Sequence, residues 1–207
     1  MAPSLLSNLC VCGLVLTFGG TGNAQEASSE SEVLVLESGP LTFNGQTNLF
    51  EMESPRIRQG DLYITADAAV ATGVEFDEAS ELRFTGNVHI EVGNAVLNAD
   101  SAVFRFEQKR LSRGELEGAP ASFSHVVPER QKPVTGTASK MSYDSVERTL
   151  RMTDAWLQRD QSEFTGCDLI YNFTTQGFSS GDADCENPFR MRVVPDSDPQ
   201  DGPNSPQ

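Results

Sequence analysis

The sequence predicts an all-β protein. Apolar residues recur at every second position through most of the chain, which is the pattern of strands with one buried face. Val88, Ile90 and Val92, for example, alternate with His89 and Glu91. Turn signals such as "TGN" and "VGN" separate these runs, and helical periodicity is almost absent. We therefore expect many short, evenly spaced strands and minimal helix.

A weak repeat of roughly 30 residues organises these strands. Four segments, "ITAD", "LNAD", "GTAS" and "TGCD", align at Asp67, Asp100, Ser139 and Asp168, which are 33, 39 and 29 residues apart. Each unit continues with a second pair of strands. A unit of this size cannot bury an apolar face by itself, so we expect stacked units to share one continuous core.

Composition divides the chain into four parts. Residues 1–24 contain a short apolar run followed by small residues, which indicates a secretory signal cleaved near Ala24, although no Lys or Arg precedes the run. The run is too short to span a membrane. Residues 25–40 are predicted to be a flexible N-terminal segment, residues 41–194 the β domain, and residues 195–207 a disordered, acidic and Pro-rich tail.

The mature chain is strongly acidic. The 15 basic and 30 acidic side chains give a net charge of −15, and no charged side chain precedes Gln25. Binding along a nucleic-acid backbone requires clustered Lys and Arg, so nucleic acid is excluded as a partner.

No set of catalytic or metal-binding residues is found. His89 and His125 lie in different units, and no Ser or Cys nucleophile stands in a recognisable motif. Zinc, calcium and phosphate-loop spacings are also missing. The sequence therefore supports no enzyme and predicts no cofactor.

Two cysteines remain after removal of the signal, Cys167 and Cys185. In an exported chain this pair favours a disulfide over two free thiols. Closing such a loop contributes about 3 kcal/mol in the chain-entropy description.

Several ordered segments resemble a known family. The stretches "LRFTGNVHIEVGNAVLNADSAVF", "KPVTGTASKMSYD" and "LRMTDAWLQRDQSEFTGCDLIY" are similar, in order and spacing, to the LptA/OstA family of periplasmic lipopolysaccharide-transport bridge proteins. The resemblance covers residues 60–195. It implies a twisted, open β-jellyroll of two antiparallel sheets, with the acyl chains of lipid A inside and the sugar emerging through the opening. It also implies end-to-end association of the chain with itself and with same-fold transport proteins of the inner and outer membranes.

The function expected is therefore that of a periplasmic lipopolysaccharide carrier that bridges an inner-membrane transporter and an outer-membrane translocon. Alternation predicts an apolar set of side chains on the inner face, which either fills a core or lines an open slot. The predicted lining residues are Leu82, Phe84, Val88, Ile90, Phe104, Phe106, Met141, Tyr143, Met152, Leu169, Tyr171 and Phe173.

Two alternatives remain open. One is a lipid-free β-sheet scaffold with a closed core and adhesive sheet edges. The other is the transporter-bound subunit of the same pathway, which normally keeps an amino-terminal membrane anchor.

Three features depart from the family pattern. Segment 41–72 is longer than the usual entry strand, so we expect it to add strands at one end. The cysteine pair is not a general family feature. The strong acidity is unusual for a carrier of phosphorylated lipid, so we expect acyl burial to supply most of the binding free energy.

Overall fold

The computed structural model describes residues 33–72, 79–128, 132–181 and 189–193, which form fourteen strands and their connections. The strands are β1 (Val35–Glu37), β2 (Leu41–Asn44), β3 (Leu49–Glu53), β4 (Arg56–Gln59), β5 (Leu62–Thr65), β6 (Ala68–Thr72), β7 (Ala79–Val92), β8 (Ala95–Glu107), β9 (Arg110–His125), β10 (Val134–Asp144), β11 (Thr149–Arg159), β12 (Ser162–Asn172), β13 (Phe178–Ser180) and β14 (Arg190–Val193). These ranges contain no helix, and therefore none long and apolar enough to cross a membrane. The all-β prediction is confirmed.

All fourteen strands belong to one continuous antiparallel sheet. The long strands β7 to β12 pair in chain order through successive hairpins. At the N-terminal end, β5 pairs with residues 89–92 of β7, and β6 pairs with residues 81–85 of the same strand. Strands β4 and β1 extend from β5, and strands β3 and β2 extend from β6. At the other end, β13 and β14 pair with opposite halves of β12.

The sheet folds across the middle of its long strands into two facing layers. The first layer contains β2, β3, β6 and β13, the second contains β1, β4, β5 and β14, and each strand from β7 to β12 contributes one half to each layer. Phe123 and His125 of the second layer lie 5.6 and 5.8 Å, between ring centroids, from Tyr171 of the first layer. Because β9 and β12 are not neighbours in the sheet, these contacts join the layers across the core. The two predicted sheets are therefore the two layers of one folded sheet.

The layers join at a line of bends, which we call the corner. Register shifts interrupt the ladders of β7, β8, β9 and β10 there, and such bulges bend and twist a strand. Of the four aligned repeat residues, Asp100 and Ser139 lie at these register shifts. Asp67 lies in the link between β5 and β6, and Asp168 lies where β12 passes from the half that pairs with β14 to the half that pairs with β13. The sequence repeat therefore marks the points at which the chain passes from one layer to the other.

Two carboxylates at the corner accept hydrogen bonds where the backbone ladder is interrupted. The carboxylate of Asp100 accepts a hydrogen bond of 3.0 Å from the backbone N–H of Ala119, and Asp67 accepts one of 2.9 Å from the Asn87 amide. Gly86 adopts a positive φ of 75°, and a Cβ at this position would lie 2.3 Å from Asp67 Oδ2. The "TGN" motif thus supplies both the glycine and the amide that this bend requires.

Strand β1 lies within segment 25–40, which the sequence predicted to be flexible. The prediction is wrong for residues 35–37, because β1 pairs with β4, and Leu36 of this strand and the preceding Leu34 pack against the core. A three-residue strand is too short to show alternation clearly. Residues 1–24 and 195–207 lie outside the described residues, so the signal and tail stay predictions.

Strands β2 to β6 occupy segment 41–72, as the expectation of added strands at one end required.

Two phenylalanine rings in the interior lie over glycines on the neighbouring strands of the sheet. Phe104 pairs with Gly114 in the first layer, and Phe123 pairs with Gly136 in the second. A Cβ at Gly114 would lie 2.6 Å from the Phe104 ring, and a Cβ at Gly136 would lie 2.3 Å from the Phe123 ring. Only glycine leaves room for the rings at these positions.

Candidate functional site

Opposite the corner, the hairpin turns of the two layers face each other across an opening, which we call the mouth. A cavity of about 310 Å³ lies in the mouth and is lined by residues of both layers. A second cavity of about 300 Å³ adjoins it and shares Asp61, Val92 and Tyr143 with it. Both cavities lie in the mouth.

The second layer supplies one wall of the mouth. Asp61 lies on the β4–β5 turn, Val92 ends β7, His125 ends β9, and Val127 and Pro128 follow it. Ala121 and Phe123 are buried, and His125 occupies the next alternate position of the same strand. Its imidazole therefore also points between the layers at the end of the strand.

The first layer supplies the other wall. Tyr143 lies at the end of β10, Arg148 on the β10–β11 turn, and Phe173 and Gln176 after β12. The rings of Tyr143 and Phe173 meet edge to face, 5.9 Å between centroids. The wall therefore combines an aromatic surface with one exposed cation.

His125 links the two walls. Its Nδ1 lies 2.8 Å from the Tyr171 hydroxyl, and its ring contacts Phe173 at 5.2 Å between centroids. Burial, and then the charge of Arg148, lowers the pKa of His125 below its ordinary value. The neutral imidazole is thus favoured, and it accepts a hydrogen bond from the tyrosine when Nδ1 carries no proton.

The pKa of the Tyr143 hydroxyl also reflects its position in the mouth. Burial raises the pKa of its hydroxyl, Arg148 opposes that rise, and Asp61 adds to it. Charges on the turns of both walls, which we call the lips of the mouth, therefore act on a ring that lies between them.

Two hydrogen bonds join the lips beside the cavities. The Gln59 side chain donates to the Lys109 carbonyl, and Arg159 Nη1 donates to the Gln176 carbonyl over 3.3 Å. Gln59 belongs to the second layer and Lys109 to the first, and Arg159 and Gln176 likewise lie on opposite layers. These contacts hold the turns together on either side of the opening.

The predicted lining residues all point inward, but they divide into two sets. Tyr143 and Phe173 are half-buried and line the cavity. The remaining ten are closed into the core, with at most 3% of each side chain exposed: Leu82, Phe84, Val88, Ile90, Phe104, Phe106, Met141, Met152, Leu169 and Tyr171.

Sequence reasoning missed the polar residues of the mouth. The sequence assigned His125 to no functional site, because it lies in a different unit from His89, and it did not single out Asp61 or Arg148. The parity of β9 was the signal available for His125. For Asp61 and Arg148 no local signal exists, because each lies on a turn and the turns meet only in the folded chain. His89 points outward and pairs with Asn98 and Glu91.

Cys167 is disulfide-bonded. Its predicted partner Cys185 lies outside the described residues, so the pairing itself stays a prediction. Within the described ranges, no three His, Cys, Asp or Glu side chains come together to hold a metal ion.

Comparison with known proteins identifies the family. Residues 63–177 match the family described as "LptA/(LptD N-terminal domain) LPS transport protein", which is more than half of the chain. This chain belongs to that family. The matched residues run from β5 to the turn after β12, and they include the corner and most of the mouth. Strands β1 to β4, β13 and β14 lie outside the LptA/LptD match.

Curated members of the LptA/LptD family give the same result. The "Lipopolysaccharide export system protein LptA" of Escherichia coli K12 is 29% identical over 117 residues, as is the protein of that name from Shigella flexneri. The match covers 52% of this chain and 63% of each relative, which is less than two thirds of their length. These names describe export of lipopolysaccharide and mention no catalysis.

A solved structure of the LptA type shares the fold. It is LptH, described as the LptA-homologous periplasmic component of the lipopolysaccharide transport device of Pseudomonas aeruginosa. The TM-score is 0.51 with 11% identity, over 80% of this chain and 98% of LptH. At this identity the likeness supports the jellyroll fold alone.

Proposed function

We propose that this protein is a periplasmic carrier of lipopolysaccharide that bridges an inner-membrane transporter and an outer-membrane translocon. Membership of the LptA/LptD family supports the pathway. The observation that carries the proposal is the mouth, where Tyr143 and Phe173 expose aromatic surface inside a cavity between the layers. Acyl chains enter there, and the sugar stays outside.

The closed core limits how the lipid is held. Ten of the predicted lining residues already fill the interior, so a chain can occupy it only if the layers separate. In the proposed mechanism, acyl chains displace solvent from the mouth and push its two walls apart at the turns, without entering the closed core. The hydrogen bond from Arg159 to Gln176 breaks during this movement.

Burial of acyl surface supplies most of the binding free energy, at about 25 cal/mol per Å² before ordering costs. This accounts for how a chain with a net charge of −15 binds a phosphorylated lipid.

The two ends of the folded sheet, at the edge strands β2 and β14, are the proposed bridge contacts. Leu41 and Phe43 of β2 are about half exposed at one end, and Met191 and Val193 of β14 are exposed at the other. Each of these edge strands pairs on one side only within the described residues. Edge strands of this kind accept a strand from a same-fold neighbour, including a second copy of this chain.

The carrier is tested by photo-crosslinking. A photoreactive residue replaces Tyr143, Phe173, Phe104 or Glu91 in the purified mature protein, which is irradiated with lipopolysaccharide or with its delipidated sugar. We expect lipid-dependent crosslinks at the two mouth positions and none at the outward Glu91. A folded protein that forms no crosslink at either mouth position contradicts the carrier and favours the lipid-free scaffold, whose closed core is already present. Crosslinks at Phe104 report entry into the core.

The bridge contacts need a separate measurement. Phe43→Lys and Met191→Lys change exposed side chains at opposite ends, and both variants should fold. We expect each variant to weaken self-association in sedimentation, while a mixture of the two still pairs through its unaltered ends. Unchanged self-association in both variants would contradict end-to-end contact through β2 and β14.

A further inference from the structure

Arg148 is an exposed arginine at the mouth, whereas several other exposed arginines of the sheet are paired with carboxylates. Arg83 pairs with Glu81, Arg113 with Asp144, and Arg151 with Asp168. Arg148 is exposed, lines the mouth, and forms no salt bridge with any residue that the structure describes. Its guanidinium is therefore available to a ligand in the cavity.

The positive charge of Arg148 extends across the mouth. It lowers the pKa of His125 on the second layer and opposes the rise in the pKa of Tyr143 on the first. Both rings line the same cavity, so a group bound between them lies within the field of the guanidinium.

Part of each wall of the mouth is apolar, beside the polar side chains of Asp61, Asn94 and Gln176. Val127 and Pro128 on one layer and Tyr143 and Phe173 on the other present hydrocarbon and ring surface to the cavity. An occupant that satisfies both parts carries an acyl chain and, at its head, a group that pairs with guanidinium. Phosphoryl oxygens suit Arg because its planar fork donates two parallel hydrogen bonds to them.

We propose that Arg148 binds the phosphoryl group of an anionic amphiphile whose acyl chain occupies the cavity between Tyr143 and Phe173. This inference rests on the proposed function and makes it more specific. The net charge of −15 repels anions from the protein as a whole, and a local cation at the point of entry offsets part of that repulsion for a ligand held mainly by its acyl chain.

The test compares two lipids that differ only in phosphate. Wild type and Arg148→Gln are titrated with bisphosphorylated lipid A and with its dephosphorylated form, each in the same detergent. We expect Arg148→Gln to weaken binding of the phosphorylated lipid about tenfold and to leave the dephosphorylated lipid unchanged. Arg148→Lys should restore part of the loss. The matched control is Arg83→Gln, whose side chain is also exposed but lies on the outer face, and it should bind as wild type does.

Each remaining outcome decides the question. Equal binding of the two lipids by wild type, or an equal loss for both in Arg148→Gln, overturns the phosphoryl site and leaves the carrier standing. Wild type that binds neither lipid overturns the carrier and the site together. Inorganic phosphate that competes as well as the phosphorylated lipid would reveal a site for free anions and also overturn the proposal.

A second readout follows the imidazole of His125 by NMR. The groups that face it are Arg148, the Tyr171 hydroxyl and the ring of Phe173. Removing the positive charge in Arg148→Gln should raise the pKa of His125 in the free protein. The pKa should also be higher in the complex with phosphorylated lipid than in the complex with dephosphorylated lipid, because the phosphate neutralises Arg148. Equal pKa values in the two complexes contradict a phosphate beside Arg148.

Discussion

Phe104→Ala should mainly lower the stability of the protein, whereas Phe173→Ala should mainly weaken ligand binding. Both side chains point inward, and both were predicted from alternation to line a slot. In the structure Phe104 is only 2% exposed, packs edge to face on Phe84 at 5.5 Å between centroids, and covers Gly114. Phe173 is half-buried and faces the cavity.

The expected costs follow from burial. Phe104→Ala removes a fully buried ring and leaves a cavity, so it should lower the free energy of unfolding by about 3–5 kcal/mol. Phe173→Ala loses ring contacts to His125 and Tyr171, both at 5.2 Å between centroids, from a side chain that is already partly solvated. We expect it to cost about 1–2 kcal/mol.

The effects on binding should run the other way. Phe173→Ala removes apolar surface from the mouth and should weaken lipopolysaccharide binding roughly tenfold, from about 50 Å² of lost contact at 25–30 cal/mol per Å². Phe104→Ala should bind as wild type does once the folded fraction is taken into account. Urea unfolding, followed through the fluorescence of the single tryptophan, Trp156, gives the stabilities. Titration with lipid at a temperature where both variants are folded gives the affinities.

A clear result would refute this reasoning. If folded Phe104→Ala loses as much affinity as Phe173→Ala, the ligand occupies the core and the mouth is only its entrance. If Phe173→Ala binds normally, the mouth is not the site. Val146→Ala is the control, since Val146 is 85% exposed on the same turn as Arg148 and should change neither quantity.

Three further predictions concern the scaffold. Gly136→Ala should destabilise the protein by about 1–3 kcal/mol, because its Cβ would meet the Phe123 ring at 2.3 Å, and Phe123→Leu should recover part of this loss in a double-mutant cycle. Asp168→Asn should cost about 1 kcal/mol in urea unfolding, since Asp168 accepts two hydrogen bonds from a half-exposed Arg151, and an unchanged midpoint would contradict a role at the corner. The lowered pKa of His125 means that its neutral form contributes stability above pH 6.5, which is lost as the pH falls through the lowered value. His125→Gln should therefore lose less stability than wild type between pH 8 and pH 5. His89 is present in both proteins, so its contribution cancels in the comparison. A steeper loss of stability in the variant would contradict the assignment.

The facing of the strands was predictable from the sequence because it is a local property. Successive side chains on a strand point to opposite faces, so an alternating run fixes the buried side without knowledge of its neighbours. All twelve predicted residues do point inward. The repeat was also informative, because a bend needs particular residues: Asp67 and Asp100 recur where a carboxylate must accept hydrogen bonds at the corner.

The difference between core and mouth was decided by tertiary structure. Met141 and Tyr143 share one strand and one parity, yet Met141 is fully buried and Tyr143 lines the cavity. Leu169 and Phe173 differ in the same way. In each pair the buried residue lies nearer the corner, where the layers converge, and the open one lies near the turns, where they diverge.

The depth of a residue between the layers depends on where its strand bends and on which turns stand opposite. Asp61, His125 and Arg148 come from three different hairpins and meet only when the sheet folds on itself. The sequence by itself determined most of the strands and their inner faces, since each depends on neighbouring residues, and its repeat contained the residues at the bends without indicating that the strands bend there. Only the tertiary structure decided which inner surface stays open to a ligand and which charges stand beside it, because that depends on distances between turns far apart in the chain.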